Sequence, residues 1–253
     1  LWYLSGDDKT SWISYYAPFW NSISDDGETA NSAYGARIFR THERVAGSQF
    51  VQWEWVKNEL MNDPDSRRAL IHIKSPADSI HAKLDVPCTL ALQFLIRDEQ
   101  LHLIVNMRSS DLILGIANDV PAFTTLQEVM ALELGVELGS YIHVSNSLHV
   151  YERNFDMLSK MCESTSREHA RMLHARVGPH PAMPSLPPVD ELMAYEKELR
   201  RVDDVDELVS IVKATDFGQY WTDWALMLAS HRARKLNKKD AAARIAAMTF
   251  FEG

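Results

Sequence analysis

Apolar and polar residues alternate from Leu90 to Ile96, which places Leu90, Leu92, Phe94 and Ile96 on one face of an expected strand. The polar triplet Arg97-Asp98-Glu99 interrupts the pattern, and alternation resumes from Leu101 to Arg108. Two strands joined by so short a turn predict a hairpin. Elsewhere the period changes. Trp53, Val56 and Leu60 recur at helical spacing and predict a helix over residues 49–61, stopped by Asn62-Asp63-Pro64. A short strand is expected over 69–73. Phe123, Leu126, Met130 and Leu134 predict a helix over 122–134, begun after Pro121. Strand alternation returns from Ser140 to Tyr151, where Tyr141, His143, Ser145 and Ser147 interleave with Ile142, Val144, Asn146 and Leu148. Residues 5–38 are turn-rich around aromatic anchors, and Leu1, Trp2 and Leu4 read as the middle of a buried helix. After residue 155 a proline-rich stretch, Arg176 to Val189, leads into expected helices at 190–200, 204–214, 220–236 and 241–250. Trp221, Trp224 and Leu228 should form the buried face of the third of these.

Composition narrows the class. The 253 residues are 46% hydrophobic and 24% charged, an ordinary globular balance with ample material for a core. The longest apolar runs are too short to span a membrane, and LWYLSGDD has no basic region of a secretory signal. The two cysteines lack metal or disulfide spacing, which points to a reducing, cytoplasmic setting. A net charge of −9 argues against a nucleic-acid partner, since a phosphate backbone calls for a basic face. A mononucleotide needs only a local cluster of arginines. No metal-ligand spacing and no Gly-rich phosphate loop is present.

The hairpin brings the sequence Pro87-Cys88 close to Arg108. A guanidinium beside a thiol should lower its pKa and populate the thiolate, the attacking species. Cys162 reads as a packing residue, and His102 and His143 as structural histidines.

Several motifs in register resemble the thymidylate synthase family. They are Pro87-Cys88, Gln93-Phe94, Arg108-Ser109-Ser110-Asp111 with Leu114-Gly115, the arginine pair of Asn62-Asp63-Pro64-Asp65-Ser66-Arg67-Arg68, and His149-Val150-Tyr151. Their order covers roughly residues 1–155. The resemblance implies an α/β (α+β) fold with a central mixed sheet flanked by helices, here with a divergent helical C-terminal region. It divides the chain into a catalytic core over 1–175 and a crossing segment with helices over 176–253, packed on the core. In the family several dozen residues precede the segment that begins here. They include a phosphate-binding arginine and a glutamate near the base, so the sequence is expected to be part of a longer protein.

The resemblance also assigns roles. Cys88 is the nucleophile toward C6 of a pyrimidine. Arg108 and Ser109 bind the nucleotide phosphate, as do Arg67 and Arg68 reaching across a homodimer with shared active sites. As a bare pair, those two arginines would read as solvated surface charge. His149 and Tyr151 hold the ribose. Trp20, Tyr34, Asp111 and Gly115 line the site for 5,10-methylenetetrahydrofolate, although Trp20 alone would read as a core aromatic. Ile23 stands where the family commonly has a second tryptophan.

One departure bears on the substrate. The family's loop ends in Phe-Asn, whose amide pairs with O4 and N3-H of uracil; here the dipeptide is Asn118-Asp119. A carboxyl suits the 4-amino group and protonated N3 of cytosine, which makes Asp119 the second catalytic candidate. The branch with Asp at this place is the cytidylate (CMP/dCMP) 5-hydroxymethylases. Without the resemblance, Asp119 would read as a helix N-cap or turn carboxylate ahead of Pro121. A thymidylate synthase acting on a uridine nucleotide, and a catalytically inactive nucleotide-binding homologue, are the alternatives.

Overall fold

The computed structural model describes residues 1–45, 48–80, 84–164 and 181–249, and the side chains of all of these except 41–49. The chain forms two compact units, Trp2–Met161 and Cys162–Gly253 with Leu1. The expected domain boundary at 175/176 lies outside the described residues.

The first unit opens with short helices, α1 (Trp2–Ser5), α2 (Thr10–Ile13), α3 (Trp20–Ile23) and α4 (Tyr34–Phe39). Of α1 only Trp2 is buried; Leu1 and Leu4 stay partly exposed, contrary to the helix-interior reading. Gly35 permits α4 to lie against α1, since a Cβ there would stand 2.2 Å from the Tyr3 carbonyl oxygen. A hairpin not expected from the sequence follows, β1 (Thr41–Val45) with β2 (Ser48–Val51). Then come α5 (Gln52–Asn62) and β3 (Leu70–His72), close to the expected spans.

The central hairpin is β4 (Thr89–Arg97) with β5 (Gln100–Met107). Its turn residues, Asp98 and Glu99, take φ of 52° and 61°, the left-handed pair that matches strand twist in a two-residue loop. Leu92, Phe94 and Ile96 are buried as expected. Leu90 is only half-buried, because a register shift between Thr89 and Ala91 rotates it out of the alternation. Two-residue β6 (Ser110–Asp111) precedes α6 (Gly115–Leu134), and β7 (Glu137–Ser145) then pairs parallel with β5. The resulting sheet is mixed, in the order β3-β4-β5-β7. β8 (Leu148–His149) pairs parallel with β6, and α7 (Phe155–Ser164) follows.

One face of the sheet forms the core. Leu92, Phe94, Leu101, Leu103, Val105 and Met107 are buried there, as are Phe123, Leu126 and Met130 of α6 and Trp53, Val56 and Leu60 of α5. Gln127, buried on α6, donates to the Leu101 carbonyl at 2.7 Å, so a polar side chain satisfies backbone beneath the helix.

The second unit is helical among the described residues. It comprises α8 (Val189–Leu199), α9 (Val205–Ala214), α10 (Gln219–Lys235) and α11 (Lys239–Ala246), near the expected spans. Asp204 caps α9 by accepting the Glu207 N–H at 2.9 Å. The buried face of α10 differs from the expected one. Trp221 is buried, but Trp224 and Leu228 are half-buried, and Ala225, Ala229 and Ala233 complete the stripe. Alanines carry little signal in a pattern, yet they permit close packing of helix on helix. The proline-rich stretch is described only from Pro181, without regular structure up to Val189. Cys162, expected to pack, is exposed on α7, a helix with no buried residue.

Candidate active site

Cys88 lies one residue before β4, where the hairpin register carries it beside Arg108. The Arg108 N–H donates to the Cys88 carbonyl oxygen at 2.9 Å. Its guanidinium donates from Nε to the Pro87 carbonyl at 2.9 Å and from Nη2 to Val86 at 3.0 Å. From the other side, Tyr34 Oη accepts the N–H groups of Cys88 and Thr89, each at 3.2 Å. Tyr34 is buried and stacks on Phe123 of α6 with centroids 6.0 Å apart. The backbone on both sides of the thiol is therefore pinned.

The thiol is not acidified. Burial pushes the Cys88 pKa above that of an ordinary thiol, Arg108 pulls it down, and the charges of Asp119 and Asp85 push it up again. The expectation of a depressed pKa is corrected on this point: the guanidinium is present, but desolvation outweighs it.

Asp119 stands in the second turn of α6, not at the end of a loop. The helix begins seven residues earlier than expected, with Leu114 as its N-cap and Pro121 inside it. Asp111 Oδ2 accepts the Leu114 N–H at 2.6 Å and so serves the helix start. The N-cap reading of Asp119 is thereby removed. Around the proline the Thr124 and Thr125 hydroxyls donate to the Val120 and Pro121 carbonyls at 2.9 and 2.8 Å. Burial raises the Asp119 carboxyl to about 7. Its charge acts on Tyr3, Tyr34, Cys88 and Tyr141, which locates it at the centre of the site.

β6 and β8 bring Asp111 opposite His149, and the Leu112 N–H donates to the His149 carbonyl at 2.9 Å. The rings of His149 and Tyr151 meet edge to face at 5.0 Å, with Arg153 4.1 Å above Tyr151. Asp111 Oδ1 is buried with no hydrogen-bond partner among the described residues, an acceptor left for something else. Gly115 packs on Ser110: a Cβ there would lie 3.4 Å from Ser110 Oγ. Ser109 is half-buried between Arg108 and β6. Trp20 is partly exposed and packs edge-on against Trp2 at 5.2 Å, as part of an aromatic cluster.

Arg67 and Arg68 do not join this group within the chain. Both are exposed; Arg68 pairs with Glu59 at 2.9 Å, and the Arg67 carbonyl accepts from Gln93 at 3.2 Å. Gln93 lies four residues along β4 from Thr89, roughly 13 Å at strand spacing. The inward row of β7 was the feature sequence reasoning passed over. Tyr141, His143 and Ser145 form it, with Tyr141 Oη 2.8 Å from His143 Nδ1 and Ser145 Oγ buried without a partner among the described residues. The alternation of polar residues on that strand was its signal. His102 is structural as read: its Nδ1 accepts the Ser140 N–H at 2.9 Å while the ring covers Gly139.

This arrangement, a cysteine at the head of a hairpin strand in a mixed sheet flanked by helices, has known counterparts. The family profile described as thymidylate synthase matches residues 1–180, and the chain belongs to the thymidylate synthase family. It is 30% identical over 163 residues to the thymidylate synthase of Bacillus phage phi3T, covering 64% of this chain and 58% of that protein. It is 37% identical over 159 residues to the deoxyuridylate hydroxymethyltransferase of Bacillus phage SP01, covering 60% of this chain and 41% of that protein. Its fold resembles the thermostable thymidylate synthase A from Bacillus subtilis, with a TM-score of 0.54 and 27% identity over 65% of this chain and 59% of that one. The matched stretch thus spans less than two thirds of each of these relatives. Among the described residues no helix is long and apolar enough to cross a membrane.

Proposed function

We propose that the chain acts in folate-dependent one-carbon transfer to a pyrimidine nucleotide, and that the nucleotide is a cytidylate, converted to its 5-hydroxymethyl derivative. The family supports the first half. The second rests on one observation: a carboxyl raised to about 7 at Asp119, where the resemblance puts an amide. Such a group is an acceptor for the 4-amino group when ionised and a proton source for N3 when protonated, and both forms are populated near neutral pH.

In this reading Cys88 Sγ attacks C6, and protonation at N3 draws the electron pair into the ring. The thiol must give up its proton on the way, and base protonation by Asp119 makes C6 electrophilic enough for a thiol that is not acidified. Arg108 and Ser109 hold the phosphate, joined by Arg67 and Arg68 of a second copy, while His149 and Tyr151 hold the ribose. Methylenetetrahydrofolate, when bound, supplies the carbon destined for C5. The residues present fit it, with the unpaired Asp111 Oδ1 as an acceptor and Trp20 and Tyr34 as aromatic neighbours. C5 would then lose its proton as the new carbon gives up its bond to the folate nitrogen. A water oxygen would bond to that carbon and release a proton to solvent, and the C6–S bond would break with its electron pair returning to Cys88.

A homodimer is part of the proposal. The outward face of β7 exposes Leu138, Ile142 and Val144, an apolar strip that a second sheet would cover. The exposed, distant position of Arg67 and Arg68 suits service in another subunit's site.

The second reading is a uridylate enzyme, either a hydroxymethyltransferase or a thymidylate synthase. The 37% identity to the phage SP01 deoxyuridylate hydroxymethyltransferase favours its water-capture form. Incubation with CMP, dCMP and dUMP plus methylenetetrahydrofolate, read by product mass, separates the two. A hydroxymethyl gain on a cytidine nucleotide supports the proposal, and turnover of dUMP alone overturns it.

A further inference from the structure

Three side chains after β8 stack on one another, and only two of them have a role so far. His149 closes β8, and its ring meets that of Tyr151 edge to face at 5.0 Å and 90°. A single 3₁₀ turn, Glu152–Asn154, then bends the chain, closed by the Asn154 N–H donating to the Tyr151 carbonyl at 2.8 Å. The turn brings Arg153 back over its neighbour. The guanidinium carbon lies 4.1 Å from the centroid of the Tyr151 ring, well within the reach of about 6 Å at which a cation is drawn to an aromatic face.

This cation is not engaged elsewhere. Arg153 makes no ion pair with a described residue, although Glu152 and Asp156 stand one and three positions away in the sequence. Its one recorded contact is the ring. Tyr151 needs such a contact, because it is 45% exposed and the core does not hold it. His149 is held from its own side. Its Nδ1 lies 3.2 Å from the Ser147 carbonyl oxygen, which can only accept, so Nδ1 carries the proton and Nε2 of the neutral ring is left as an acceptor.

We propose that Arg153 is a positioning residue of the ribose site, whose cation holds the Tyr151 ring against His149 and so fixes where the phenol hydroxyl meets a sugar hydroxyl. The inference rests on the assignment of His149 and Tyr151 to the ribose and is independent of the base. The sugar of a 2′-deoxynucleotide has one free hydroxyl, at C3′. That group donates to His149 Nε2 and accepts from Tyr151 Oη. One hydroxyl serves both partners only while the two rings keep a fixed mutual angle, and Arg153 supplies the contact that keeps it. A direct grip of Arg153 on the phosphate is the competing role, and it predicts a different dependence on the ligand.

The test is binding by calorimetry, without folate, of dCMP, dUMP and their 2′,3′-dideoxy counterparts. The proteins are the parent, Arg153→Met, Arg153→Lys, and Tyr151→Ala with and without Arg153→Met. Arg153→Met removes the cation and should weaken the 3′-hydroxyl nucleotides about two- to fivefold, the range of a cation–π contact at an exposed site, while leaving the dideoxy ligands unchanged. Arg153→Lys keeps the cation and should restore most of that loss. In the Tyr151→Ala background, Arg153→Met should change nothing. Equal weakening of hydroxyl and dideoxy ligands, a loss that persists without the tyrosine ring, or no loss at all on removing the cation overturns the inference. If the parent binds the dideoxy nucleotides as tightly as the others, the ribose assignment falls and this inference with it.

Discussion

Arg108 Nε donates to the Pro87 carbonyl oxygen at 2.9 Å, which fastens the cation to the peptide just ahead of Cys88. The guanidinium is thus the one influence that lowers the thiol pKa, set against burial and two carboxylates that raise it. In a Cys162→Ser background, which removes the exposed second thiol, alkylation of Cys88 by iodoacetamide should titrate above the ordinary thiol value of about 8.5. Arg108→Ala should move that titration higher still, and Asp119→Asn should bring it down. A profile centred below an ordinary thiol would contradict the balance of burial and charge described here.

Asp119 carries a stability consequence opposite in sign to that of most carboxylates. Its folded pKa, about 7, is raised above the unfolded value by burial, so the folded state binds the extra proton between the two. Its contribution is unpenalised below about pH 4, declines as pH rises, and is fully lost above about pH 7. Asp119→Asn removes the ionisable group, so its stabilising effect should be absent at pH 4 and grow to about 1–3 kcal/mol by pH 8, a discounted share of the roughly three-unit shift. Chemical denaturation at the two pH values measures it. A variant equally stabilised or destabilised at both would show that the carboxyl is not held neutral by burial.

Much of this was legible in the sequence, and the exceptions have physical causes. Alternation fixed the β4–β5 hairpin because one face of each strand is buried and a slip would expose the whole set. The helical period similarly marked α5 and the helices of the second unit. The start of α6 was not legible. Pro121 argues locally for a boundary, but Gly115 packs against Ser110, Asp111 accepts the N–H of the N-cap residue Leu114, and the helix runs through the proline. Position in the chain announced Cys88 and Arg108 as neighbours, yet not the sign of the thiol's shift, which depends on burial that no linear pattern states. Tyr141 and His143 were visible as alternating polar residues; the contact of His143 with Ser110, more than thirty residues upstream, was not.

A buried ion pair anchors the short turn Pro76–Ser79. Arg37 grips Asp78 with both terminal nitrogens, at 2.7 and 2.8 Å, and donates to the Asn31 and Ile73 carbonyls. Burial pushes the Asp78 carboxyl up, but Arg37, the Ser75 N–H and Asn31 together hold it well below the usual carboxylate range. Arg37→Ala leaves a carboxylate of 4% exposure without its cation and should cost about 3 kcal/mol or more. A depressed folded pKa gives stability that is present above the unfolded value and lost as pH falls through the folded one. The parent should therefore lose stability on acidification below about pH 4, and Arg37→Ala should lose less over the same interval. Parallel losses in the two proteins would mean that the pair is not the source of that dependence.

The separation of Arg67 and Arg68 from Cys88 leads to the last prediction. Both arginines are exposed near Gln93 of β4, about half a strand away from Cys88, and the Arg67 guanidinium has no protein partner among the described residues. If they complete the site of a second copy, Cys88→Ser and Arg67→Ala/Arg68→Ala proteins should each be nearly inactive alone. Mixed dimers then contain one site with both defects and one with neither. Random exchange of equal amounts makes half of all dimers mixed, each with one intact site, so activity should recover to about a quarter of the parent. The measurement is turnover of the preferred nucleotide after mild denaturation and refolding of the mixture, with exchange verified by mass spectrometry on differently tagged chains. Cys88→Ser should still bind nucleotide, since an alkoxide is far less accessible than a thiolate but occupies the same place. Recovery near zero in a mixture with verified exchange would place both arginines in the site of their own chain.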